Sequence, residues 1–147
     1  MKKKVYNVTM NKYISKSVID TESLAKSIAD KCKGGEIILL NGDLGAGKTT
    51  FTKGFAKSLG INDNITSPTF TLMKQYNTGR IPLFHFDLYR ITDEDEIAEL
   101  GFEEYFEMQG ICVIEWNKFA NLNGKLIIIN IKYINKTTRE FEIIYKD

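Results

Sequence analysis

Arginine, proline, cysteine and histidine are all scarce in this chain. Of its 20 basic residues only Arg80, Arg90 and Arg139 are arginines, and its 147 residues include two prolines, two cysteines and one histidine. Cys32 and Cys112 are far from C-x-x-C spacing, which argues against a disulfide scaffold and predicts a buried, reduced pair of the kind found in cytoplasmic proteins. Long apolar runs are missing too. The longest aliphatic stretches, Ile37–Leu40 and Leu126–Ile129, fall far short of the roughly 20 residues that cross a bilayer. The basic start "MKKKVYNVTM" lacks the apolar core of a signal peptide. Charge of one sign is also lacking: 20 basic residues against 19 acidic ones leave a net +1. Such a balance gives no field for holding RNA or DNA tightly without help. There is no internal repeat, low-complexity tract or linker, and the length suits one domain spanning residues 1–147.

What is present is a regular alternation of elements. Val5–Met10 alternates like a short strand, and Asp20 or Thr21 can cap a helix reaching about Cys32, with Leu24, Ala25, Ile28 and Cys32 on its buried face. "EIILL" reads as a buried strand. A helix beginning within "GKTT" presents Phe51, Phe55 and Leu59 at helical spacing. "TFTLMKQY" and "IPLFHFDLY" read as a hairpin around Asn77-Thr78-Gly79. The acidic stretch "TDEDEIAELGFEEYF" reads as a helix capped by Thr92 and broken at Gly101. "ICVIEW" is another buried strand, and "KLIIINIKYI" with "REFEIIY" forms a second hairpin. The fold class predicted is α/β, with the two hairpins making a mixed β-sheet flanked by helices.

One segment carries a phosphate-binding signature. Gly42-Asp43-Leu44-Gly45-Ala46-Gly47-Lys48-Thr49 fits G-x-x-x-x-G-K-[ST] in full, between a buried strand and a helix. The glycines let the backbone curl so that successive N–H groups of Asp43 through Thr50 face phosphate oxygens. The helix that starts there adds about half a positive charge at its N-terminus. Lys48 can reach the outer phosphates, and Thr49 offers a hydroxyl to Mg²⁺. Guanine-specific proteins of this class carry N-K-x-D after a late strand. Here Asn117-Lys118-Phe119-Ala120 lacks the aspartate, so adenine is favoured.

Acidic residues complete the chemistry. Glu115 closes the apolar run Ile111-Cys112-Val113-Ile114, the place for a carboxylate that meets Mg²⁺ directly or through water. Trp116, next to it, reads as a core or rim aromatic rather than a base-stacking one. In "HFDLYR", alternation sets Phe84, Phe86 and Leu88 on one face and His85, Asp87 and Tyr89 on the other. That second face either lies at a solvent edge or lines a site, where Asp87 could hold Mg²⁺ through water or orient the attacking water. Among the arginines, Arg90 is the best placed as an internal arginine finger, though a finger could also come from another protein. "ITSPTF" offers Thr66, Ser67 and Thr69 around Pro68 as a γ-phosphate sensor, or as an ordinary proline turn.

In order, "GDLGAGKTT", "SPTFTL", "HFDLYR" and "ICVIEW" resemble the bacterial tRNA threonylcarbamoylation ATPase family, TsaE, also called YjeE. The resemblance runs from about Thr21 to the end. It implies a P-loop NTPase-like domain that binds and hydrolyses ATP with Mg²⁺. It also implies support for threonylcarbamoyladenosine synthesis on ANN-decoding tRNAs, in concert with the proteins TsaD and TsaB, and the near-neutral charge fits a protein that meets tRNA mainly through those partners. By matching positions it implies that Lys48 and Thr49 carry phosphate and Mg²⁺, that Glu115 supports the metal and that Asp87 aids catalysis. Ser67-Pro68-Thr69 would be a switch-like loop. Two rival readings stand beside it. A small-molecule kinase would need an Arg-rich lid, which three arginines hardly supply. A non-catalytic ATP sensor would need neither Asp87 nor Glu115. The acidic run Asp93–Glu104 is either a partner surface or a solvated helix face.

Overall fold

The computed structural model describes residues 8–147. Its elements are β1 (Val8–Ser15), α1 (Val18–Ala29), β2 (Ile37–Asn41), α2 (Lys48–Ser58), β3 (Met73–Tyr76) and β4 (Leu83–Asp87), followed by α3 (Glu94–Leu100), a 3₁₀ turn (Phe102–Glu107), β5 (Ile111–Glu115), β6 (Leu126–Tyr133) and β7 (Arg139–Lys146). All seven strands form one sheet in the order β1-β7-β6-β2-β5-β4-β3. The four middle strands, β6, β2, β5 and β4, are parallel, while β1 and β7 on one side and β3 on the other pair antiparallel. The mixed sheet expected from the two hairpins is therefore present.

Local signals explain most boundaries. Helix α1 starts earlier than expected, because Ser17 is its N-cap, accepting at its hydroxyl from Asp20 N–H at 3.0 Å. Leu24, Ala25, Ile28 and Cys32 are all buried, as their spacing requires. Helix α2 buries Phe51 and Phe55 completely and ends at Leu59, itself buried. It crosses α1 at Gly54, where a Cβ would come within 3.0 Å of the Glu22 Cα. A mid-helix glycine costs about 0.5–1 kcal/mol relative to alanine; here it allows two backbones to touch. Helix α3 is capped by Asp93 rather than Thr92, with Glu96 N–H donating to Asp93 Oδ1 at 2.9 Å. Gly101 ends it in the left-handed conformation (φ 66°). The expected first strand runs further toward the C-terminus than Met10. Val8–Met10 belongs to β1, which continues to Ser15, and residues 5–7 of that expectation lie outside the described residues.

Two apolar layers sandwich the sheet. On one face α1 and α2 pack on Ile38, Leu40, Leu83, Ile111, Val113 and Phe141. On the other, Phe86 sits among Phe102, Tyr105, Phe106 and Phe119 at centroid distances of 5.2–6.4 Å. Removing an aromatic ring from such a site costs about 3–5 kcal/mol. Burial pushes the Cys32 and Cys112 thiols up to about 12, and both are free cysteines. Among the described residues, no helix is long and apolar enough to cross a membrane.

Candidate nucleotide site

The parallel strands β2, β5 and β4 end together, and the candidate residues stand where they end. Leu40 of β2 pairs with Glu115 of β5, which in turn pairs with Asp87 of β4. The crevice beyond the carboxyl ends of parallel strands is where ligands bind in open α/β sheets. Beyond β2 the chain turns through residues 42–47 and enters α2 at Lys48, so the N–H-rich loop opens beside both carboxylates. A cleft of about 560 Å³ unites Leu44, Gly45, Gly47, Lys48, Thr49 and Thr50 with Ser67, Thr69, Asp87, Glu115, Trp116 and Arg139. Of the residues singled out from sequence, Asp43 lies in an adjoining cleft, while Ala46 is buried beneath the loop. Pro68 sits in the turn that carries Ser67 and Thr69.

Gly47 caps α2 with φ 113°, a conformation that side chains resist. The Lys48 ammonium donates to the Gly42 carbonyl at 2.7 Å and lies 3.9 Å from the centre of the Trp116 ring. Burial holds Lys48 below the ordinary lysine range, while the negative charges of Glu115, Asp87 and Asp43 pull the other way. Trp116 has φ 55° and meets Tyr89 edge-on at 4.9 Å. It lies at the rim of the cleft, over the lysine.

Strand β4 is not a solvent edge. All five of its residues are buried, and Leu83, His85 and Asp87 face the α1/α2 side. His85 Nε2 contacts Glu115 Oε2 at 2.7 Å, both residues almost wholly inaccessible. The Asp87 carboxylate has three donors. Ser67 Oγ (2.8 Å) and Thr69 Oγ1 (3.1 Å) meet one oxygen, and Tyr89 N–H (3.0 Å) meets the other. This explains why β3 begins later than expected. Residues 69–72 turn back toward Asp87, closed by Leu72 N–H on the Pro68 carbonyl at 2.7 Å, with Leu72 at φ 68°. Thr66, the third hydroxyl considered, instead accepts from Lys74 Nζ at 2.7 Å.

The arginines are distributed differently from the sequence expectation. Arg90, expected to be best placed, is exposed and lies over Phe70 (5.2 Å to the ring centre), outside the cleft lining. Arg80 ties the end of α1 through the Ala29 and Cys32 carbonyls. Arg139 instead reaches the phosphate loop, donating from Nε to the Ala46 carbonyl at 2.9 Å. That approach depends on the β6–β7 hairpin lying beside the loop, a long-range arrangement with no local signal.

A family profile described as "Threonylcarbamoyl adenosine biosynthesis protein TsaE" matches residues 15–141. The chain belongs to the TsaE family. It is 55% identical over 97 residues to the tRNA threonylcarbamoyladenosine biosynthesis protein TsaE of Bacillus subtilis, a match spanning 66% of this chain and 60% of that relative. The protein of the same name from Rickettsia felis is 42% identical over 85% of this chain and 74% of its own length. The one from Treponema pallidum is 36% identical over 88% and 97%. The crystal structure of Bacillus subtilis YdiB superposes with a TM-score of 0.78 at 37% identity, covering 95% of this chain and 87% of that one. The α/β, P-loop NTPase-like fold thus agrees with that solved structure. Within this TsaE chain no cluster of three or more acidic, histidine or cysteine side chains poised for a metal occurs among the described residues. The donor set near the loop is instead one threonine hydroxyl and two carboxylates. Such a set suits Mg²⁺, which takes one or two carboxylates and completes its shell with phosphates and water.

Proposed function

We propose that this chain is a cytoplasmic, Mg²⁺-dependent ATPase whose turnover serves tRNA threonylcarbamoyladenosine biosynthesis; the relatives' names state that biosynthesis role for them, and nothing of the ATPase activity, metal or location. Its partners on this reading are TsaB and TsaD, and tRNA is met through them. The observation that carries the proposal is the register of Asp87 and Glu115 on adjacent parallel strands beside the loop and helix start at Gly47–Thr50. A phosphate-binding sensor with no turnover has no use for two carboxylates there.

In this reading the N–H groups of residues 43–50 and the Lys48 ammonium hold the β- and γ-phosphates. Thr49 and Glu115 would hold Mg²⁺, Glu115 being steadied by His85. When bound, the metal neutralises charge that develops on the phosphate oxygens. Lys48 would exchange the Gly42 carbonyl for phosphate oxygen, a change favoured by the anion's charge. Asp87 would orient the attacking water, its carboxylate held in place by Ser67 and Thr69. Adenine is preferred because Asn117 engages its own turn, accepting from Phe119 N–H at 2.9 Å, and no aspartate follows at position 120.

Steady-state ATP hydrolysis, measured on the protein alone and then with purified TsaB and TsaD, tests this. Slow turnover that rises with the pair is expected. Turnover indifferent to the pair would overturn the partner-coupled part of the proposal. Nucleotide binding without hydrolysis under either condition would leave the sensor reading in its place.

A further inference from the structure

We infer that Arg139 is a positioning residue of the phosphate loop, fixing the orientation of one peptide group that the nucleotide needs. The inference rests on the phosphate-site reading above. Arg139 opens β7 directly across from Tyr133, and its guanidinium lies 4.5 Å from the centre of that ring. Nη1 donates to the Asn135 and Thr138 carbonyls at 2.6 and 3.1 Å, within the same hairpin turn. That turn is stiffened in its own right by Asn135 Oδ1, which accepts from the Thr137 and Thr138 N–H groups at 3.0 Å each. The guanidinium is therefore held at Nη1 and against the Tyr133 ring before it reaches the loop, and its Nε–H points at Ala46 O.

The consequence follows from peptide geometry. In a trans peptide the C=O and the following N–H point in opposite directions across one plane, and no described peptide bond is cis. Holding Ala46 O toward β7 therefore turns the N–H of Gly47 away from Arg139, into the concave side of the loop. Gly47 is the residue least able to hold that plane by itself, since its φ of 113° lies in territory where glycine moves freely. Arg139 supplies from outside the rigidity that Gly47 lacks. Its contact is to backbone, so its role is orientation of a donor rather than charge on the phosphate.

Substitutions separate these two roles. Arg139→Gln places an amide nitrogen where Nε stood and removes the charge. Arg139→Met keeps the length with no donor, and Arg139→Lys keeps the charge with a methylene at the Nε position. Nucleotide affinity is read by calorimetric titration with ADP. The Gly47 amide order parameter is read by NMR relaxation of the nucleotide-free protein, with the Phe51 amide inside α2 as internal control. For Met and Lys the affinity is expected to fall about tenfold, the size of one lost hydrogen bond, with Gly47 dropping from about 0.85 to below about 0.6 while Phe51 stays rigid. Gln should stay within about threefold of wild type, a residual hydrogen-bond effect. An unchanged Gly47 order parameter in the Met and Lys variants would overturn the inference. So would full affinity in Lys with a tenfold loss in Gln, which would make the charge the active property. If the wild type bound no ADP, the phosphate-site reading would fall, and the Gly47 relaxation would still decide whether Arg139 fixes that peptide. Should the Met variant fail to fold, the Lys and Gln pair suffices.

Discussion

Ser67 donates from its hydroxyl to Asp87 at 2.8 Å, joining a loop between α2 and β3 to the carboxylate at the end of β4. Thr69 adds a second bond to the same oxygen. A segment whose sequence reads equally as a phosphate sensor or a proline turn is thereby coupled to a carboxylate in the candidate nucleotide cleft. Replacing both hydroxyls, as Ser67→Ala with Thr69→Val, leaves Asp87 one donor instead of three. Nucleotide affinity is expected to change little, and turnover to fall about tenfold, a fraction of the roughly 10²–10⁴-fold that a positioned acid–base group contributes, if Asp87 acts as proposed. Single-turnover hydrolysis checks this. Wild-type turnover in the double variant would uncouple the loop from Asp87.

Lys48→Ala should weaken ATP binding by roughly 1.5–3 kcal/mol, the size of a charge-assisted contact. The pH dependence follows from its lowered pKa. A lysine whose folded value lies below 10.5 costs the nucleotide-free fold stability at lower pH, where its burial opposes the charge. Stability from this group therefore rises as pH climbs from the lowered value toward 10.5, because the unfolded chain holds the proton more firmly there. Phosphate has the opposite preference, so ADP affinity should fall as pH rises through the same window. Calorimetric titrations across alkaline pH measure it, and a flat profile in which Lys48→Ala behaves like wild type would remove the lysine from the site.

Glu115→Gln should spare most nucleotide binding while hydrolysis drops steeply, since on the proposed reading it removes the charge that would face Mg²⁺ and keeps the shape. Equal hydrolysis rates with saturating Mg²⁺ would refute the metal assignment.

His85→Leu leaves the buried Glu115 without its 2.7 Å partner. A buried carboxylate stripped of a donor costs about 1–3 kcal/mol, more if charged. Denaturant unfolding should register that loss, and His85→Gln, which keeps a donor near the Nε2 position, should recover part of it. Equal stability of the Leu and Gln variants would show that the contact contributes nothing.

Both cysteines should resist a thiol reagent in the native state. With thiol pKa values near 12, the thiolate fraction at pH 8 is about one in ten thousand, and burial blocks access as well. Two thiols should become reactive on unfolding in denaturant. Rapid modification of the native protein would contradict the burial of Cys32 or Cys112.

Much of this architecture is written in local sequence. Apolar spacing fixes the buried faces of α1 and α2, four-residue aliphatic runs mark β2 and β6, and the eight residues Gly42–Thr49 declare a phosphate loop because glycine, lysine and threonine are needed there for separate physical reasons. Capping details are local too, though Ser17 and Asp93 displaced the expected caps because several short polar residues compete at each helix start. Other features required the sheet to assemble. Whether His85 and Asp87 face water or a site depends on β4 lying between β3 and β5, and no alternation pattern contains that fact. The bonds from Ser67 and Thr69 to Asp87 span 18–20 residues, and the Arg139 contact with Ala46 spans 93. The exposed Arg90 and the loop-bracing Arg139 look alike in sequence, since an arginine's reach is set by which strands become neighbours. Sequence determined the elements and the chemistry of the loop through short-range sterics and hydrophobic period. Strand order, a long-range outcome of burying two apolar faces at once, decided which side chains could meet that loop.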